Sequence, residues 1–257
     1  MIDPGEGVAS DGTIVTGAAR SRVPDVFEPL AAAAAEKLSA RAEVSVYFYG
    51  SVATGQAQPG RSDVDLLALG LDRDEAGTVA AILFESFPGL CRGVEIAVAD
   101  ATDLVAGSDA AYGLHVFLRH CCVHLHGPDL SSQLPAFRAD ARAARGFNGD
   151  IGRHAQRWEV QMCDGQDPQV IGRRLARKTL LAVAGLVSIH DATWTTDRAT
   201  AARRWGELHP DLANDLQNLL EWSEGTILAD SRTVAHAIDV IVPRVVFDFD
   251  TLIGLLP

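Results

Sequence analysis

Apolar residues recur along the first half of the chain in two alternating patterns. Residues 25–41 place Leu30, Ala34 and Leu38 at helical spacing, and the run Ala31 to Ala35 adds helix propensity. Residues 44–49 (VSVYFY) are a short apolar run of strand length. A short helix is expected from about Val52, followed by a Pro/Gly loop over 56–62 and a second strand over 63–69. Residues 73–87 mix charged and apolar groups at helical period and end near Phe87-Pro88-Gly89. A third strand is expected over 93–99, a helix start at Asp100 to Asp103, and a helix over 109–120. Cys122 to His126 read as a short edge strand before Gly127-Pro128. Strands alternating with helices across short connections predict a small mixed sheet backed by helices.

Beyond Pro135 the period changes and becomes almost wholly helical, with segments near 135–146, 150–163, 168–190, 197–205, 209–223 and 230–254. Pro243 falls inside the last segment and should bend or split it. All four tryptophans lie in this half, as a helical core with an aromatic-rich face requires. The fold class that follows is an α/β (α+β) domain with a small mixed sheet, over residues 1–130, and an all-helical bundle over 131–257. Residues 1–23, rich in Gly, Ala, Ser and Asp, are expected to form a loose N-terminal arm.

Composition narrows the partners. The chain has 257 residues, enough for one large or two smaller cores, and its formal net charge is −12. That charge argues against an extended nucleic-acid surface, which needs an excess of Lys and Arg. It is compatible with a cationic small molecule. The start, MIDPGEGVAS, lacks the basic and apolar regions of a signal peptide, and no apolar run approaches a membrane span. Cys91, Cys121, Cys122 and Cys163 show no disulfide framework. A cytoplasmic protein with no membrane partner is the expectation.

The densest chemistry lies in residues 44–69, VSVYFYGSVATGQAQPGRSDVDLLAL. Asp63 and Asp65 are two positions apart at the start of the second strand and therefore project to one side. Two carboxylates so placed can share a hard divalent cation such as Mg2+, which prefers oxygen ligands and keeps several waters. Gly50 permits a tight turn and close backbone approach, and Ser51 offers a hydroxyl and an N–H at a helix start. A phosphate cradle this near a metal site points to a nucleoside triphosphate.

The same residues carry a resemblance. Gly50-Ser51, a spacer, and Asp63-Val64-Asp65-Leu66-Leu67 resemble the signature of the DNA polymerase β-like nucleotidyltransferases, and most of all the bacterial aminoglycoside adenylyltransferases. The specific match spans residues 44–100, and over 110–200 it is similar in kind. In that family a third carboxylate sits on a later strand, where this chain has Val94-Glu95-Ile96-Ala97-Val98. The resemblance implies that Asp63 and Asp65 ligate one or two Mg2+ ions, with Glu95 either a third ligand or the general base. The adenylyltransferase branch favours the base, and Val94 and Ile96 would help to desolvate it. Ser51 and Ser62 become phosphate contacts, and Arg61 beside Ser62 is either a loop-surface residue or one that reaches the triphosphate. The expected reaction moves a nucleoside monophosphate, AMP from ATP, onto a hydroxyl of a small molecule such as an aminoglycoside, an antibiotic-modifying activity that releases pyrophosphate. Two alternatives remain open: adenylylation of a protein, as the minimal toxin-linked nucleotidyltransferases perform, and a nucleotide-binding regulator without turnover.

Further clusters are weaker signals. Arg173, Arg174, Arg177 and Lys178 share two neighbouring faces of one helix, and the resemblance makes Arg174 and Lys178 nucleotide-binding candidates that would clamp the triphosphate. Arg198 is a further candidate. Gly185 stands where the adenylyltransferases tend to offer an arginine. Trp158, Glu159, Asp164, Asp167, Trp194, Asp211 and Glu221 are candidates to line an acceptor site, by stacking and charge. His120, Cys121, Cys122, His124 and His126 lack the spacing of a zinc site, and Thr13 to Arg22 lacks two glycines of a dinucleotide loop. No G-x-S-x-G elbow or Walker lysine occurs.

Overall fold

In the computed structural model, residue 3 and residues 5–38 and 43–257 are described. The last residues of the helix expected over 25–41 lie outside them. Helix α1 (Glu28–Leu38) leads to strand β1 (Ser45–Tyr49), whose chain passes directly into the single turn α2 (Gly50–Ala53). Strand β2 (Val64–Leu69), α3 (Arg73–Ser86), β3 (Val94–Ala99), α4 (Ala101–Val105), α5 (Asp109–Cys121) and β4 (Val123–His126) follow. The sheet order is β3-β2-β1-β4. β2 and β3 are parallel, and β1 runs antiparallel to β2 and to β4, so the sheet is mixed and the short strand ending at His126 is at its edge.

Alternation along the strands builds two apolar layers. Val46, Phe48, Val64, Leu66 and Ala68 face one side and pack with Leu30, Ala34 and Leu38 of α1 and Val79 and Leu83 of α3. Tyr47, Leu67 and Leu69 face the other side and meet Leu114, Phe117 and Leu118 of α5. A central strand covered on both faces must be apolar throughout, which is why VSVYFY carries no charge. Residues 13–23 differ from the loose arm expected of them. Ile14 is 3 % and Val23 6 % exposed, the Ala19 N–H donates to the Ala53 carbonyl (3.1 Å), and the Thr16 hydroxyl donates to the His120 carbonyl. Two apolar anchors and a few backbone bonds hold a segment whose composition is otherwise that of a linker.

The chain divides into two compact units. One holds the sheet, residues 13–137 with Asp3 to Glu6; the other holds residues 138–257 with Gly7 to Gly12. The second unit contains α6 (Ala141–Asn148), α7 (Ile151–Cys163), α8 (Pro168–His190), α9 (Arg198–Leu208), α10 (Ala213–Glu224), α11 (Ser231–His236) and α12 (Val242–Leu252). The long helix α8 is its axis: Leu175, Leu180, Val183 and Leu186 are buried among side chains of the surrounding helices, each contributing about 1.5–3 kcal/mol of apolar burial. Trp158, Trp205 and Trp222 belong to the same core.

Two helix boundaries differ from the pattern. α6 starts at Ala141 rather than 135 because the Asp140 carboxylate caps it, accepting the Ala143 N–H at 2.9 Å. Before α12, Ala237–Ile241 form a π-turn, and Pro243 is the second residue of α12. Proline has no N–H to offer the preceding turn, so the long apolar segment splits there, as its sequence requires. The acidic composition also acquires a structural reason. Asp72, Asp100, Asp140, Asp167, Asp197 and Asp230 each accept first-turn N–H groups as helix caps, so part of the negative charge serves the fold.

Candidate active site

The row of residues around Asp65 spans three strands. Tyr49 stands opposite Asp65 in the antiparallel register of β1 and β2, and Glu95 stands beside it in the parallel register of β2 and β3. Paired positions share a face, so the phenol and both carboxylates point to the side that carries Tyr47, Leu67 and Ala97. Val94 and Ile96 lie on the opposite face with the α1 and α3 core. Glu95 itself is exposed, so the desolvation expected from its two neighbours does not occur. Tyr49 packs edge-on against Phe117, with ring centroids 5.2 Å apart. Burial first, then the charges of Asp65 and Glu95, push its phenol well above the usual range and keep it protonated.

Gly50 closes this row. Its φ is +66°, and a Cβ built on it would stand 2.6 Å from Asp65 Oδ2. The left-handed backbone favours glycine, and a Cβ would also displace the Asp65 carboxylate. The N–H groups of the first turn of α2, Ser51 included, have no partner within the helix, while the Ser51 carbonyl accepts the N–H groups of Gln56 (2.8 Å) and Ala57 (3.0 Å). Ser62 is placed differently. Its N–H donates to the Gln58 carbonyl at 2.9 Å, and its hydroxyl accepts the Gln58 N–H at 2.9 Å. The Ser62 hydroxyl keeps its proton and one lone pair for a ligand.

Asp63 is held by a residue that the sequence reading passed over. Arg92 Nε donates to Asp63 Oδ1 at 3.0 Å, and Nη2 donates to Oδ2. The hydrogen bond to Asp63, opposed by slight burial, raises the guanidinium pKa further. Arg92 and Tyr49 are the additions the structure makes to the site. Each left a faint signal: Tyr49 immediately precedes Gly50, and Arg92 lies three residues before Glu95, at the mouth of a strand parallel to that of Asp65.

The donor chemistry fits a hard divalent cation. Asp63 and Asp65 supply carboxylate oxygens two positions apart, and Mg2+ typically takes only one or two carboxylates from a protein, filling its shell with waters and phosphate oxygens. Among the described residues, no group of three His, Cys, Asp or Glu side chains is gathered for a metal ion. The same holds for the His120 to His126 stretch, where His124 Nε2 lies 2.9 Å from the Gly127 carbonyl oxygen.

In the helical unit, Lys178 forms an ion pair with Asp150 (2.6 Å) and donates to Asn148 Oδ1 (3.2 Å), while His154 Nε2 lies 3.2 Å from the other Asp150 oxygen. Burial opposes ionisation of Asp150, but the His154 hydrogen bond and the Lys178 charge outweigh it and hold the carboxyl well below the usual range. Arg177 donates to the Ser223 carbonyl (3.3 Å), Arg174 is exposed, and Arg198 is half-buried near Arg173 and Glu224. Gly185 sits in the core, where a Cβ would approach Phe249 to 3.2 Å, so an arginine has no room there. Several acceptor candidates have other employment. Trp158 and Trp194 are buried at 2 % and 4 % exposure, and Asp167 caps α8 through the Gln169 N–H (2.9 Å).

Residues 31–106, which contain Gly50, Ser51, Ser62, Asp63, Asp65 and Glu95, match the family model of the nucleotidyltransferase domain. The chain carries such a domain, and the class this defines is that of the nucleotidyltransferase enzymes. Its fold is shared with spectinomycin adenyltransferase AAD(9) from Enterococcus faecialis, solved with ATP and spectinomycin. The likeness has a TM-score of 0.57 at 9 % identity and covers 88 % of this chain and 98 % of that one. A comparison with curated proteins finds no match to the sequence. Among the described residues no helix is long and apolar enough to cross a membrane.

Proposed function

We propose that this chain is an Mg2+-dependent adenylyltransferase that moves AMP from ATP to a hydroxyl of a small molecule, an aminoglycoside or similar aminosugar, in the cytoplasm. The observation that carries the reading is the row Gly50, Asp65 and Glu95 inside the matched nucleotidyltransferase domain. ATP and an aminosugar-like acceptor are supported by the ligands of the AAD(9) structure.

Asp63 and Asp65 would hold the Mg2+. When bound, the ion neutralises phosphate charge and aligns the α-phosphorus for in-line attack. Glu95, exposed beside Asp65, accepts the proton of the acceptor hydroxyl as its oxygen bonds to the α-phosphorus and pyrophosphate leaves. The N–H groups at the start of α2, with the Ser51 and Ser62 hydroxyls, bind phosphate oxygens. Arg174 and Lys178 remain nucleotide-binding candidates by resemblance, Lys178 on exchanging Asp150 for a phosphate.

The test is pyrophosphate release from Mg-ATP and the other nucleoside triphosphates across a panel of aminoglycosides, with mass spectrometry of each acceptor. An acceptor heavier by one AMP supports the reading. ATP binding without any modified acceptor in the panel removes the aminoglycoside assignment.

A further inference from the structure

Asp63 directly precedes β2, two positions before Asp65, and Glu95 stands beside Asp65. Carboxylates so close repel one another unless a cation lies among them. In this structure a cation beside them is Arg92, whose backbone is held next to the Asp63 segment. The Gly60 N–H donates to the Leu90 carbonyl (2.9 Å), the Arg92 N–H to Ser62 (3.0 Å), and the Val64 N–H to Gly93 (2.9 Å). These bonds tie residues 60–64 to residues 90–93 just before the paired strands and bring Arg92 beside Asp63. The guanidinium then takes both Asp63 oxygens in a fork.

Resting on the metal reading, we infer that Arg92 is a tethered counter-cation for Asp63, which an incoming divalent ion must displace and which thereby sets the apparent affinity of the site. A guanidinium cannot lose its proton to vacate the carboxylate, so the exchange has to be one cation for another. The pair is suited to exchange. Arg92 is 52 % and Asp63 33 % exposed, so the arginine swings into water without a desolvation cost and the pair is of modest strength. Metal binding in the absence of nucleotide is weakened by the fraction of time Asp63 is occupied. With nucleotide present, the phosphates supply the remaining ligands, and the released guanidinium gains an anionic neighbour. Arg92 acts through Asp63 and is a positioning residue for the ion.

The experiment measures Mn2+ alone, by electron paramagnetic resonance of the free ion, titrated into the full chain, its Arg92→Gln and Arg92→Lys variants, and Asp65→Asn. Circular dichroism checks each fold. Arg92→Gln is expected to tighten Mn2+ about twofold to fivefold, the range that an exposed forked ion pair can supply. Arg92→Lys, which keeps the charge and loses the fork, falls between, and serves in its place should the glutamine variant not fold. Mn2+ affinity that is unchanged or weaker in folded Arg92 variants, while still depending on Asp65, overturns this inference alone. Mn2+ binding indifferent to Asp65→Asn overturns the metal reading, and the inference with it.

Discussion

A side-chain carbon on residue 50 would stand 2.6 Å from Asp65 Oδ2, so any residue but glycine there would push aside the carboxylate that β2 sets beside the helix start that follows β1. The φ of +66° adds a second demand on the same residue. Gly50→Ala therefore costs about 1–3 kcal/mol of stability in backbone strain, and it displaces Asp65 as well. Urea denaturation and turnover, measured together, should both fall. Wild-type stability and rate in the alanine variant would mean that neither constraint operates in solution.

Glu95 and Asp65 are neighbours in register, yet their replacement should separate kinetically. Glu95→Gln removes the proton acceptor and is expected to lower kcat about a hundredfold or more while leaving ATP affinity nearly unchanged. Asp65→Asn is expected to abolish Mg2+-dependent turnover with the fold intact. Both are read from steady-state kinetics over a range of Mg2+ concentrations, with ATP binding followed by calorimetry. A Glu95→Gln defect that extra Mg2+ repairs would make Glu95 a metal ligand instead of the base.

The parts of this molecule that were readable in its sequence are those set by local pattern. Apolar runs bounded by Gly and Pro gave the strands, including the edge strand Val123–His126, and Pro243 announced the break before α12. The carboxylates and Gly50 were legible because strand alternation and turn geometry act over two or three residues. What was missed depends on contacts distant in sequence. Nothing near Ile14 or Val23 foretells their burial, and Arg92 meets Asp63 across 29 residues. Trp158 reads in the sequence as a stacking surface, but it is buried in the core around α8. Glu95 was expected to be desolvated by Val94 and Ile96, but alternation sends those two side chains to the other face.

Lys178 serves its own unit in this structure, which makes its two proposed roles separable. The ion pair with Asp150 is partly buried, and removing either partner should cost about 1–3 kcal/mol. Asp150→Asn is expected to lower stability alone. Lys178→Met is expected to lower stability by a similar amount and to weaken ATP binding too. Equal ATP affinity in the two variants would assign the lysine wholly to the fold and leave Arg174 as the candidate from α8.

His120 gives the sheet unit a pH dependence of its own. Burial, then the charge of Arg119, push its imidazole down from 6.5 to about 4, and the neutral ring accepts the Phe137 N–H at 2.9 Å. Because the folded value lies below the unfolded one, the unfolded chain takes up the proton first as the pH falls. The stabilisation is complete above about 6.5, declines through the window down to about 4, and amounts to about 2–3 kcal/mol. Urea denaturation at intervals from pH 7.5 to 4.5 should show this slope, and His120→Gln should lose about one proton's worth of it. Parallel curves for the two proteins across the window would mean that the ring is protonated in the fold at its ordinary pH.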